Sequence, residues 1–204
     1  AGGISVSILA ASPLADGLFH RAICQSGGSF HPARTKKESD SIQLLAGAEE
    51  AGVEFAKRMG AVSIAQLRRV SPDEWRTDPA AQMGGFWPII DGHVIVDDQY
   101  KLYEEGKYND VPVLLGTNSD EGSMFVRPVQ PAQYEEDIKE RFGLFAKPIL
   151  ELYPGETQAQ THRALADIFR DAMFAWPTWT WARLQSKRGT SNVYSPRQNP
   201  GPRL

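Results

Sequence analysis

With a single cysteine, Cys24, the chain can build neither an internal disulfide nor a cysteine-based zinc site. Its apolar stretches, such as residues 4–11, fall far short of the roughly 20 residues of a bilayer span, so no membrane helix is predicted. Positive charge is not in excess either. Against 25 Asp and Glu stand 22 Lys and Arg, a formal net charge of -3. That leaves no basic surface to neutralise phosphates, which argues against nucleic acid as a partner. Of the four histidines, His20, His31, His93 and His162, none has a second His or Cys at ligand spacing, so no metal is expected. No serine is framed as Gly-x-Ser-x-Gly, and there is no glycine-rich phosphate loop and no internal repeat. The first residue is Ala1, and no basic segment followed by an apolar one comes after it, so neither signal peptide nor compartment can be read.

What is present is the material of a core. The 204 residues are 41% hydrophobic and include 9 Phe, 6 Tyr and 5 Trp, unlike a disordered chain. A globule of this length can bury roughly 70% of its unfolded surface. Ala1, Ile4, Ile8 and Ala11 recur at helical spacing up to Ser12-Pro13, with no capping residue ahead of them. Residues 21–25 form a short apolar run that ends in Ser26-Gly27-Gly28, a strand whose carboxyl end meets a loop. Helices are predicted over 41–59 and 64–70, and irregular chain with one extended piece over 71–92. A helix over 97–106 is closed by Gly106. Residues 111–116, Val-Pro-Val-Leu-Leu-Gly, are apolar without alternation, which predicts a strand covered on both faces of a parallel sheet. Helices follow over 132–142, 146–153 and 158–187, the last kinked at Pro177. A strand is expected to begin at Val193-Tyr194, and the Pro- and Arg-rich residues 195–204 read as an irregular tail. The fold class is α/β.

In open α/β sheets, ligands bind beyond the carboxyl ends of the strands. The turn after Leu115 occupies such a place and carries two acids, Asp120 and Glu121, followed by Gly122. An acid there can orient a histidine, accept a metal or simply cap the next turn, and spacing alone favours the cap. Cys24, within an apolar strand, reads as a buried small hydrophobe rather than a nucleophile. The tryptophans at 176, 179 and 181 could wall an apolar pocket, but read first as core or lid packing. His20, His31, His93 and His162 read as structural or solvated.

Several segments, taken in order, resemble type B carboxylesterases. They are Ala1-Gly2-Gly3-Ile4-Ser5-Val6-Ser7, Pro13-Leu14 with Gly17-Leu18-Phe19, and Arg21-Ala22-Ile23-Cys24-Gln25-Ser26-Gly27. Pro88 with Asp91-Gly92, Val111-Pro112-Val113, Gly116-Thr117-Asn118-Ser119-Asp120-Glu121-Gly122 and Trp181-Ala182-Arg183-Leu184-Gln185 continue the series. The resemblance covers residues 1–194. It implies part of a single α/β-hydrolase domain, the C-terminal part of the sheet with its covering helices. The implied chemistry is carboxylic ester hydrolysis by a Ser-Glu-His triad on a small-molecule ester, without cofactor. Within it Glu121 matches the triad acid and Ala1 the residue after the nucleophile, whose N–H donates to the oxyanion. The nucleophile would precede Ala1 and no residue matches the histidine, so this chain alone is expected to be inactive. A non-catalytic binding or adhesion module on the same fold is the alternative.

Overall fold

The computed structural model describes residues 2–28, 30, 43–78, 87–188 and 193–194. Helix α1 (Gly2–Ala11) buries Gly3, Ile4, Ser7, Ile8, Ala10 and Ala11. It lies on strand β1 (Ala22–Gln25), and Gly3 makes the approach possible. A Cβ at that position would stand 2.5 Å from the Gln25 carbonyl oxygen and 2.8 Å from that of Gly27. At the far end, Asn109 caps the helix: its backbone N–H donates to the Ala10 carbonyl at 2.8 Å and its amide to that of Ser12 at 3.0 Å.

The chain continues through β2 (Gln43–Leu44), α2 (Leu45–Arg58), α3 (Ile64–Leu67), α4 (Pro72–Thr77), β3 (Ile89–Ile90) and α5 (Gln99–Glu105) to strand β4 (Val113–Gly116). Beyond it come α6 (Pro131–Phe142), α7 (Ala146–Leu152), α8 (Gln158–Arg170), α9 (Trp176–Arg188) and β5 (Val193–Tyr194). Strands β1, β4 and β5 form one parallel sheet in that order, with Ala22 opposite Val113 and Val113 opposite Val193. Short β2 and β3 pair separately, also in parallel.

One core lies beneath the three-stranded sheet. Trp181, Tyr103, Phe30 and Leu115 are fully enclosed there, with the Tyr103 ring edge-on to Phe30 at 5.2 Å. Helix α9 is keyed to β4 by polar groups inside this core. The Trp181 indole N–H donates to the Gln185 side-chain oxygen at 2.8 Å, and the Gln185 amide donates to the Val111 carbonyl at 2.8 Å. A second core joins α6, α7 and α8 through Tyr134, Ile138, Ala146, Ala164 and Ile168.

Three expectations need correction. The 111–116 strand is covered on one face, not two. Val113 and Leu115 are buried, whereas Leu114 is 36% exposed beside its register partner Ile23 at 63%. An unbroken apolar run states what a strand tolerates on each face, and among the described residues α1, α5 and α9 cover one. Residues 71–92 are not all irregular: Ser71 accepts the Glu74 N–H and Pro72 opens helix α4, a normal N-terminal pairing. The helix predicted over 158–187 runs without interruption, but its disturbance lies ahead of the proline rather than at it. Residues Asp171–Ala175 form a π-turn ahead of Pro177, which lacks an N–H and whose ring would strike the Met173 carbonyl in a straight helix.

Cys24 is the buried residue its sequence context suggested, 1% exposed, with its thiol donating to the Gly27 carbonyl at 2.7 Å. Burial raises its pKa from 9.0 to about 12. Below pH 9 both folded and unfolded chains hold the proton. Above it the unfolded thiol ionises first, so stability is lost as pH rises towards 12. Iodoacetamide at pH 8 is expected to leave native Cys24 unmodified and to alkylate it in urea; fast native alkylation would contradict this.

Candidate active site

The parallel register brings the carboxyl ends of β1 and β4 together, and each runs directly into a turn. Ser26 follows β1 and donates its N–H to the Gly116 carbonyl at 2.9 Å, which locks the two exits side by side. Its φ is +62°, a left-handed conformation that costs a non-glycine residue about 1–2 kcal/mol. In that conformation the Ser26 hydroxyl reaches Glu121 and donates to Oε1 at 2.7 Å. The Asn118 N–H donates to the same oxygen at 2.8 Å. Glu121 Oε2 accepts no hydrogen bond among the described residues.

Its neighbour has a different task. Asp120 is exposed and accepts the Ser123 N–H at 3.1 Å, at the start of the short 3-10 turn Ser123–Phe125. Hydrogen bonds from the Ser123 side chain and backbone hold its carboxyl below the usual carboxylate range. It is a turn cap. The next residue, Gly122, is buried against α8, where an added Cβ would meet the Ala166 carbonyl oxygen at 2.0 Å. So the two adjacent acids part company: one serves its own turn, and the other is fixed between the ends of two strands.

An aromatic wall stands beside this pair. Phe125 stacks on Phe169 at 4.8 Å, and Phe174 lies edge-on to Phe169 at 6.1 Å and against the Gly27 backbone. The clustered tryptophans divide between roles. Trp181 is core, whereas Trp176 and Trp179 face solvent, 5.2 Å apart, with the Arg183 guanidinium over Trp179.

Of the predicted site residues, Glu121 has the geometry just given and Ala1 lies outside the described residues, as do His31 and the tail over 195–204. His20 and His93 are exposed. His162, on α8, faces Asp120 closely enough for its charge to favour the carboxylate. The residue that sequence reasoning passed over is Ser26, set aside because no Gly-x-Ser-x-Gly frames it. The available signal was its position after a strand, in the same kind of place as Glu121.

Comparison with known proteins gives a consistent picture. The sequence model of the Carboxylesterase family matches residues 1–199. The chain is 33% identical over 177 residues to the fumonisin B1 esterase of Sphingopyxis macrogoltabida, covering 85% of this chain and 32% of that protein. It is 29% identical over 195 residues to the para-nitrobenzyl esterase of Bacillus subtilis (strain 168), covering 91% and 38% respectively. Human neuroligin-3 is 34% identical over 131 residues, 63% of this chain and 15% of that protein. The chain therefore spans about a third of the length of the esterases it matches. The family implies an α/β-hydrolase fold, and a helix-rich chain around a small parallel sheet is consistent with part of one. On this match, the chain belongs to the carboxylesterase family.

Proposed function

We propose that this chain supplies the acid side of a serine esterase site, completed by a longer polypeptide that carries the nucleophile and the histidine. The observation behind this is Glu121, tied at Oε1 by Ser26 and Asn118 with Oε2 left for an imidazole N–H. A serine hydroxyl is a weak nucleophile near neutral pH and needs a histidine to take its proton. Glu121 holds that histidine in the tautomer whose other nitrogen faces the serine, and stabilises the imidazolium as the acyl-enzyme forms. The Ala1 N–H contributes one of the donors to the oxyanion. The substrates are neutral carboxylic esters of moderate size, in keeping with the uncharged aromatic surface of Phe125, Phe169 and Phe174 beside the acid. The isolated chain is inactive.

In the full-length protein, Ser26→Ala is expected to lower kcat roughly tenfold with little change in KM, as loss of one hydrogen bond to a charged group implies. Steady-state hydrolysis of p-nitrophenyl acetate reads this out, and an unchanged kcat would remove Ser26 from the site. The reading as a whole is tested by extending the source DNA in frame from both ends of this segment and assaying the full-length product. Hydrolysis above a heat-denatured control, lost on Glu121→Gln, is the expected result. No hydrolysis would overturn it in favour of a non-catalytic binding module, a reading that the match to neuroligin-3, not named as an esterase, also favours.

A further inference from the structure

Among the charges on α8 is one that does not simply face water. Arg170, the last residue of that helix, points its guanidinium back at the acid turn. Nη1 donates to the Ser119 carbonyl at 3.1 Å and to Asp167 Oδ1 at 2.5 Å. Nε donates to Asp171 Oδ1 at 2.8 Å. The second oxygen of Asp171 accepts the Tyr153 hydroxyl at 2.7 Å, so the group is anchored to the end of α7 as well. The Arg170 side chain is only 26% exposed, and it is clamped on two sides by carboxylates.

Its target explains why this matters. Ser119 lies two residues before Glu121 and directly after Asn118, whose N–H holds Glu121 Oε1. The turn over 117–122 therefore has two ties on its acid side, Ser26 and Asn118, and a close contact at Gly122. Arg170 is the side chain from the helical layer that hydrogen-bonds the middle of the turn. A guanidinium is suited to this: its donors form a rigid fork, able to reach a carbonyl and two carboxylates at once, which the single ammonium of lysine cannot do in fixed directions.

We propose that Arg170 is a positioning residue for the candidate acid: held by Asp167 and Asp171, it grips the Ser119 carbonyl and so fixes the turn that aims Glu121. The proposal rests on the esterase reading of Glu121, and its test separates the two. In the full-length protein, Arg170→Gln and Arg170→Lys are assayed after titration of active sites with an organophosphate, so that kcat refers only to folded, competent enzyme. Arg170→Gln is expected to lower kcat per titrated site about tenfold with KM within twofold, and Arg170→Lys to recover part of the loss. Amide exchange in the peptide spanning residues 113–122 is expected to quicken about tenfold in Arg170→Gln, while the peptide over 131–142 is unchanged.

A merely structural arginine would reduce the number of titrated sites and leave kcat per site as it was. That result, or unchanged exchange at 113–122, overturns the proposal. If Arg170→Gln will not fold, Arg170→Lys carries both measurements. Full activity in Glu121→Gln would sink the esterase reading and this proposal with it. A dead Glu121→Gln beside a normal Arg170→Gln would sink this one alone.

Discussion

Exchange of Glu121 for glutamine is expected to reduce kcat of the full-length polypeptide about a thousand- to ten-thousand-fold without unfolding it. The asymmetry of the carboxylate is the reason. Oε1 receives both the Ser26 hydroxyl and the Asn118 N–H, and the side-chain oxygen of glutamine can accept the same two bonds. The fold of the turn should therefore survive. At the other position a carboxylate oxygen becomes an NH2 group, which presents a donor to the imidazole N–H it should accept. The histidine then turns or changes tautomer, and its second nitrogen no longer takes the serine proton. Thermal melts within a few degrees of the parent, combined with the loss of kcat, would separate chemistry from stability. A variant retaining a tenth or more of parental kcat would rule Glu121 out as the acid.

Gly122→Ala should act through packing, and strongly. The added methyl would lie 2.0 Å from the Ala166 carbonyl oxygen, 2.6 Å from its carbon and 2.8 Å from the Ala166 Cα. These are backbone atoms inside α8, with no flexible side-chain tip to swing away. Either the helix retreats or the acid turn does, and overpacking of this kind costs about 3 kcal/mol or more. Both outcomes carry Glu121 away from its place, so activity per folded molecule should fall along with the melting temperature. Gly52→Ala is the control. It sits in α2 with nothing within 4 Å of the added atom, and should stabilise by about 0.5–1 kcal/mol. Equal melting temperatures for the two variants would mean the Gly122 contact does not constrain the fold.

Much of this is legible in the amino-acid sequence. The apolar run over 111–116 with an abrupt polar turn predicts β4 and the turn after it, because a strand that loses its hydrophobic residues at once has left the buried part of the sheet. Helix α5 was legible at its end for the same local reason: Gly106 takes φ +75° there. The identity of the acid was different. Spacing left Asp120 and Glu121 equal, and the family pattern, not periodicity, favoured Glu121. Ser26 escaped because its partner lies 95 residues away, and no local pattern encodes which two strand ends become neighbours. Nor does any local pattern mark Arg170, whose carbonyl partner Ser119 lies 51 residues away. Pro177 announced a disturbance in the last long helix, but not that the π-turn at Asp171–Ala175 would absorb it one turn early.

Ser26 also sets the chain's own terms for directed evolution. Its backbone angle suits glycine, so Ser26→Gly would relieve strain at the junction of β1 and the acid turn while deleting the hydroxyl bonded to Glu121. A library selected only for heat resistance should drift towards glycine at this codon, and one selected for turnover should keep serine. The position is thus a point where the two selections pull apart, and its winner reports which of them a lineage has been under.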